Sequence, residues 1–143
     1  MIMENIENTG LQRFIEAQND SYDQALKEIR NGRKLTHWIW YIFPQIKGLG
    51  FSYNSEYYGI TSLQEAKDYL ENELLRKRLF KITESLLMHK GKDIESIMGD
   101  IDALKLKSSM TLFDAVQPGG IFGEVLDEFY GGERCRRTLE KIR

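Results

Sequence analysis

Ile121-Phe122-Gly123-Glu124-Val125-Leu126-Asp127-Glu128-Phe129, closed by Gly131-Gly132, decides the fold class. Ile121, Phe122, Val125, Leu126 and Phe129 recur at the i, i+3, i+4 spacing that stacks side chains on one helix face, and the glycine pair ends the helix. Before it, Pro118-Gly119-Gly120 stops a helix expected over 103–116, with Leu106, Met110, Phe113 and Val116 inward. After it, a last helix over 133–142 would bury Cys135, Leu139 and Ile142.

The rest of the chain reads the same way. Ser62-Leu63-Gln64-Glu65 has capping-box spacing: Ser62 serves the Glu65 amide and Glu65 reaches back to Ser62. Leu63, Ala66, Tyr69 and Leu70 then face inward. Asn72 caps a longer helix carrying Leu75, Leu79, Ile82 and Leu86 up to Gly91, and Asp93 to Met98 forms one short turn ending at Gly99. Near the N-terminus, Thr9 caps a short helix to Ala17, and Asp20 or Ser21 caps a second with Tyr22, Ala25, Leu26 and Ile29, closed by Gly32. Thr36 caps a turn or two over 37–42 before Pro44 forbids continuation, and 43–60 reads as irregular loop. Residues 1–8 lack periodicity and read as a frayed end. No run alternates convincingly. The expectation is an all-α single domain over 1–143, with about seven to nine helices and strand content near zero.

Composition narrows the function classes. Hydrophobic residues are 41% and charged residues 29%, with a net charge of −2, which is ordinary for a folded domain and excludes disorder of its body. The near balance of charge argues against nucleic acid as partner, since that affinity rests on neutralising phosphates. No apolar run approaches the roughly 20 residues that span a bilayer, and the acidic N-terminus lacks a signal-peptide core, so a cytoplasmic protein away from membranes is expected. Cys135 is the one cysteine and excludes an internal disulfide. Two histidines and one cysteine, widely separated, match no metal spacing, and Gly48-Leu49-Gly50 lacks the context of a dinucleotide or phosphate loop. No metal and no cofactor is expected.

The chemistry concentrates in Arg33 to Ser52, which holds both tryptophans, one histidine and one proline. Aromatic residues mixed with Arg33, His37, Gln45 and Ser52 read as a pocket wall, apolar with a few convergent polar groups. Trp38 and Trp40 fall on opposite sides of a helix or the same side of a strand, so one would pack in the core while the other could stack on a flat ligand. A second cluster, Lys105 to Thr111, would bring Lys105, Ser108 and Ser109 to one helix face and could grip a phosphate or carboxylate. The plainer reading has the lysines solvated and Ser109 bonded to the carbonyl one turn back. His37 is a candidate acid or base, or else a satisfied core residue. Glu56 is a candidate catalytic carboxylate if buried. Cys135 reads as a small buried hydrophobe and His89 as a helix C-terminal cap.

The motifs His37-Trp38-Ile39-Trp40-Tyr41-Ile42-Phe43-Pro44-Gln45 and Leu104-Lys105-Leu106-Lys107-Ser108-Ser109-Met110-Thr111-Leu112-Phe113, with Leu11 to Phe14, Tyr22 to Leu26, Gly48-Leu49-Gly50 and Glu65-Ala66, resemble a bacterial family of about this length. That family is filed as a domain of unknown function, and some members carry the automated label calpastatin. The resemblance implies an all-α domain and no established activity. The label itself conflicts with the composition, because calpastatin is a disordered inhibitor and this chain has 11% aromatic residues. Ser55-Glu56-Tyr57-Tyr58 before a helix is similar in layout to all-α hydrolases that cleave N-glycosidic bonds in ADP-ribose-related compounds. That resemblance implies Glu56 as the carboxylate that activates water or steadies an oxocarbenium-like centre, although Gly59-Ile60 departs from the pattern.

Three functions follow from these residues, and the sequence leaves open whether the protein is an enzyme and what its oligomeric state is. The first is binding of a small anionic or nucleotide-like ligand, with Trp40 or Tyr58 stacking, Arg33 and Lys105 holding charge, and Gln45, Ser52, Ser108 and Ser109 orienting. The second is N-glycosidase-like hydrolysis through Glu56, with His37 a further catalytic candidate. The third is a non-catalytic adaptor with Trp38 or Trp40 in an exposed patch.

Overall fold

A computed structural model describes residues 10–143. Among them are nine helices and no strand: α1 Gln12–Arg30, α2 Ile39–Ile42, α3 Tyr53–Tyr57, α4 Leu63–Glu71, α5 Glu73–Leu87, α6 Ile94–Met98, α7 Asp100–Val116, α8 Ile121–Tyr130 and α9 Arg136–Ile142. No helix among the described residues is long and apolar enough to cross a membrane. The all-α expectation holds. Thr9 and the expected frayed end 1–8 lie outside the described residues.

Helix α7 is the centre of the molecule, packing on α2, α4, α6, α8 and α9. From Ser108 to Phe113 every residue is buried, more than the single apolar face expected, so the Ser108 and Thr111 hydroxyls find partners inside while that of Ser109 has none among the described residues. Thr111 Oγ1 donates to Lys107 O at 2.8 Å and accepts from Cys135 N at 2.9 Å, and the one Ser108 Oγ proton is within reach of both Leu104 O at 3.2 Å and Cys135 Sγ at 3.3 Å. An aromatic chain threads the core on either side of α7. Phe14 meets Tyr69 at 5.3 Å, Tyr69 meets Phe113 at 5.2 Å, Phe113 meets Phe122 at 5.7 Å and Phe122 meets Phe80 at 5.3 Å.

Several boundaries differ from expectation, each for a physical reason. The two short N-terminal helices are one, because Gln18 faces inward and continues the stripe from Phe14 to Tyr22. Its Nε2 donates to Tyr41 O at 2.7 Å and to Tyr69 Oη at 3.0 Å, so the polar side chain is satisfied in the core. The expected loop after Ser52 contains α3, since Ser52 Oγ accepts from Ser55 N and caps it. The segment is held to the Pro44 loop by one parallel bridge, Ile46 with Ile60. Ser62 caps α4 as expected, but Glu65 turns away from Ser62. Its carboxylate accepts from Thr61 N at 2.9 Å and pairs with Arg13. Helix α7 starts at Asp100 rather than at 103, and α9 buries Thr138 while Leu139 is exposed. His89 serves the end of another helix in place of its own, with Nε2 at 2.7 Å from Ile29 O at the close of α1.

Two ionic anchors on α1 position the loops. Glu28 is buried, and its carboxylate accepts from Leu35 N, Thr36 N, Thr36 Oγ1, Trp38 Nε1 and Gln24 Nε2 at 2.6–3.0 Å. Thr36 therefore serves Glu28 and does not cap α2. Burial alone would raise the Glu28 pKa, but the hydrogen bonds from Thr36, Gln24 and the Leu35 amide outweigh it and bring it from 4.5 to about 2. At the other end of α1, Arg13 pairs with both Glu65 oxygens at 3.0–3.1 Å and donates to Tyr57 O at 2.8 Å and Gly59 O at 2.9 Å.

A carboxylate with a lowered folded pKa stabilises fully above its unfolded value and loses that contribution as pH falls through its folded value. Glu28 should contribute stability present above pH 4.5 and lost as pH falls toward about 2. Glu28→Ala leaves the buried Trp38 Nε1 without its acceptor, at a cost of roughly 1–3 kcal/mol, and takes the acceptor from the part-buried Leu35 and Thr36 amides as well. Denaturant midpoints measured from pH 7 down to 2 should show a large loss in this variant at neutral pH and a shallower acid slope. An acid slope identical to wild type would contradict the assignment.

Candidate functional site

A cleft of about 650 Å³ lies between α7, the loop 45–50, α3 and the segment 133–137. Each wall follows from local sequence. On α7, Lys105 and Ser108 sit three residues apart and share the face that Leu104 and Ile101 extend to the rim. Gln45, Leu49 and Gly50 come from the turn that Pro44 and the glycines force. Ser55 is presented by the Ser52-capped α3. Gly131 and Gly132, both at positive φ, turn the chain after α8 so that Arg134 to Arg137 line the opposite wall.

Charge in the cleft is one-sided. Its lining carries Lys105, Lys107, Arg134, Arg136 and Arg137 against Glu133 alone. Lys107 is paired with Glu133, and Arg134 with Asp114 at 3.1 Å. Lys105, Arg136 and Arg137 have no carboxylate partner among the described residues, and Arg137 reaches only Leu49 O, at 3.5 Å. Three uncompensated cations around a concave surface concentrate positive potential there.

Cys135 belongs to the same wall and is half-buried, in place of the buried apolar position expected for it. Its thiol lies 3.3 Å from Ser108 Oγ. Burial raises the thiol pKa, and the Ser108 hydroxyl with the Thr138 and Arg137 amides more than offsets this, leaving it lowered.

Behind the cleft is a niche of about 10 Å³ that shares Gln45, Ser55 and Lys105 with it and is otherwise walled by Ile39, Trp40, Phe43, Asn54, Tyr58 and Gly59. Gly59 permits this closure, since a Cβ there would come within 2.8 Å of Lys47 Cα and Ser55 O. Tyr58 is held by ring contacts with Tyr41 at 5.1 Å and Tyr57 at 4.8 Å.

Of the residues singled out in the sequence, Trp40, Gln45, Tyr58, Lys105 and Ser108 thus come together at the cleft and its niche. The others lie elsewhere. Ser109 is fully buried and its hydroxyl has neither the expected carbonyl partner nor a place in the cleft lining. Ser52 is exposed and acts as the α3 cap. Arg33 and His37 are exposed on the loop that Glu28 organises. Glu56 is half-exposed, 3.8 Å from Lys47, and lines a separate shallow hollow with Arg13 and Tyr53. Trp38 is the core tryptophan, bonded to Glu28. No group of three metal-binding side chains exists among the described residues. Arg136, Arg137 and Cys135 were not among the sequence candidates. The available signal was Arg134-Cys135-Arg136-Arg137, three cations in four residues directly after a glycine pair.

The family model described as a protein of unknown function (DUF1810) matches residues 8–142. The chain is also similar to the conserved hypothetical protein Rv1873 from Mycobacterium tuberculosis, known from a crystal structure. The two are 43% identical with a TM-score of 0.90, over 93% of this chain and 96% of that one. No curated protein matches.

Because Cys135 is the sole cysteine, its alkylation reports on this wall alone. Ser108→Ala removes one of the hydrogen bonds that lower the thiol pKa, so the pH midpoint of iodoacetamide labelling should move upward from wild type. An unchanged midpoint would show that Ser108 does not act on the thiol.

Proposed function

The chain belongs to the family of proteins of unknown function DUF1810, the same kind of family that its motifs resemble, and from that premise we propose that it binds a small anionic, nucleotide-sized ligand in the cleft. The observation that carries this reading is the set of cations Lys105, Arg136 and Arg137, without carboxylate partners among the described residues, on facing walls of one concavity. Its volume of about 650 Å³ lies within the roughly 300–1,000 Å³ range of ligand sites. Arginine on one wall suits bidentate contact with a phosphate or carboxylate, and Leu49, Leu104 and Ile101 supply apolar surface for a flat group.

The N-glycosidase reading draws less support from this geometry. Glu56 lies outside the lining of the cationic cleft, half-exposed beside Lys47 in a separate hollow. The adaptor reading finds its support in Phe51 and Tyr53, which are 92% and 75% exposed. It loses the tryptophan patch it was built on, since Trp38 is buried and Trp40 faces the niche.

A thermal-shift series with nucleoside mono- and diphosphates tests the reading. At ligand about 100-fold above Kd, binding to the native state alone should raise Tm by several degrees. The shift should shrink with added salt and vanish in Arg136→Ala/Arg137→Ala, whose exposed side chains leave the core intact. If no nucleotide raises Tm, or the double variant responds like wild type, the cleft is not the site.

A further inference from the structure

The niche behind the cleft carries a more specific chemical signature than the cationic walls. Trp40 Nε1 is shielded from solvent and has no acceptor within reach among the described residues. An indole nitrogen only donates, so this is a buried donor without its bond, a costly arrangement. Ser55 lies beside the same niche and is 8% exposed. Its Oγ accepts from Ser52 Oγ at 3.1 Å, and its own proton has no acceptor among the described residues. Lys105, whose only polar side-chain group is a donor, lines both niche and cleft.

Gly50 keeps this array open. A Cβ at Gly50 would sit 2.7 Å from Ser55 Oγ and 3.1 Å from Ser55 Cβ, displacing the hydroxyl. The niche itself, about 10 Å³, has room for about one water or one ligand oxygen. An acceptor atom there would stand among Trp40, Ser55 and Lys105, the donors of its lining.

We infer that the Trp40, Ser55 and Lys105 niche is a carboxylate subsite, taking one oxygen of a planar carboxylic acid whose body lies in the cleft. The inference rests on the anion-binding reading and narrows its ligand class. With room for one oxygen, and with Ile39 and Phe43 beside Gln45, Asn54 and Tyr58 in the rest of its wall, the niche leaves every other oxygen of the ligand to the cleft. A carboxylate puts one oxygen on the donors and leaves the other toward the cleft. Negative charge matters because Lys105 has no carboxylate partner among the described residues.

The test is a titration of the full ¹⁵N-labelled chain with benzoate, benzamide and phenyl phosphate, read at the two indole N–H signals. Trp40→Phe assigns them. Benzoate should shift the Trp40 signal and leave that of Trp38, which is committed to Glu28. It should bind at least about tenfold more tightly than benzamide or phenyl phosphate, and Ser55→Ala should weaken it by about tenfold, as expected for one hydrogen bond to a charged group. The unchanged Trp38 signal of Ser55→Ala would certify its fold. If benzoate leaves Trp40 unmoved while nucleotides still raise Tm through Arg136 and Arg137, the niche holds a water only and this inference alone fails. If neither probe responds, the anion-binding reading falls with it. Benzamide or phenyl phosphate binding as tightly as benzoate would overturn the carboxylate assignment.

Discussion

The Glu28 carboxylate is the constraint on which the rest depends. A buried carboxylate is costly to desolvate and is tolerated only when its lone pairs are filled, which here takes donors from Gln24, Leu35, Thr36 and Trp38. The chain after α1 must wrap around that one group to supply them. Wrapping sets where α2 begins, and so where Trp40 and Phe43 stand. Arg13 does the converse fifteen residues earlier on the same helix, gathering the carbonyls of Tyr57 and Gly59 and the Glu65 carboxylate around a cation. The niche lies between the segments that these anchors hold, with Ile39, Trp40 and Phe43 from one and Tyr58 and Gly59 from the other. A site built this way is formed before any ligand arrives, which lowers the ordering cost of binding.

Helical periodicity made most of the fold legible. Where it failed, a polar residue took a core position. Gln18 broke the apolar stripe on paper and continued it in space, because Tyr41 and Tyr69 supply its partners from distant parts of the chain. Glu65 likewise had a local partner by spacing and a stronger one in Arg13, far away in sequence. Such long-range pairings leave no local pattern. The α3 helix was missed for the opposite reason: Ser52 caps it by a rule that was available, but the tyrosines and glycines around it resemble a loop.

The candidate site was legible in part. Trp40, Gln45, Tyr58, Lys105 and Ser108 are brought together, the last two by simple helical spacing and the others by the loop that Pro44 and Gly59 shape. Arg33, His37 and Glu56 were singled out for their chemistry, and chemistry alone does not say which way an exposed loop side chain faces. Arg136 and Arg137 escaped notice because a basic run near the end of a chain ordinarily reads as solvated. Only the fold shows that the turn at Gly131 and Gly132 folds it back against α7.

The central claim is that the cleft attracts anions before any particular ligand is known. Cys135 in its wall offers a direct probe: the ratio of alkylation rates by iodoacetate and iodoacetamide, compared with that of free cysteine over a range of salt. The account predicts a ratio severalfold above that of free cysteine at low ionic strength, falling toward it as salt screens Lys105, Arg136 and Arg137. A ratio equal to that of free cysteine and independent of salt would contradict it.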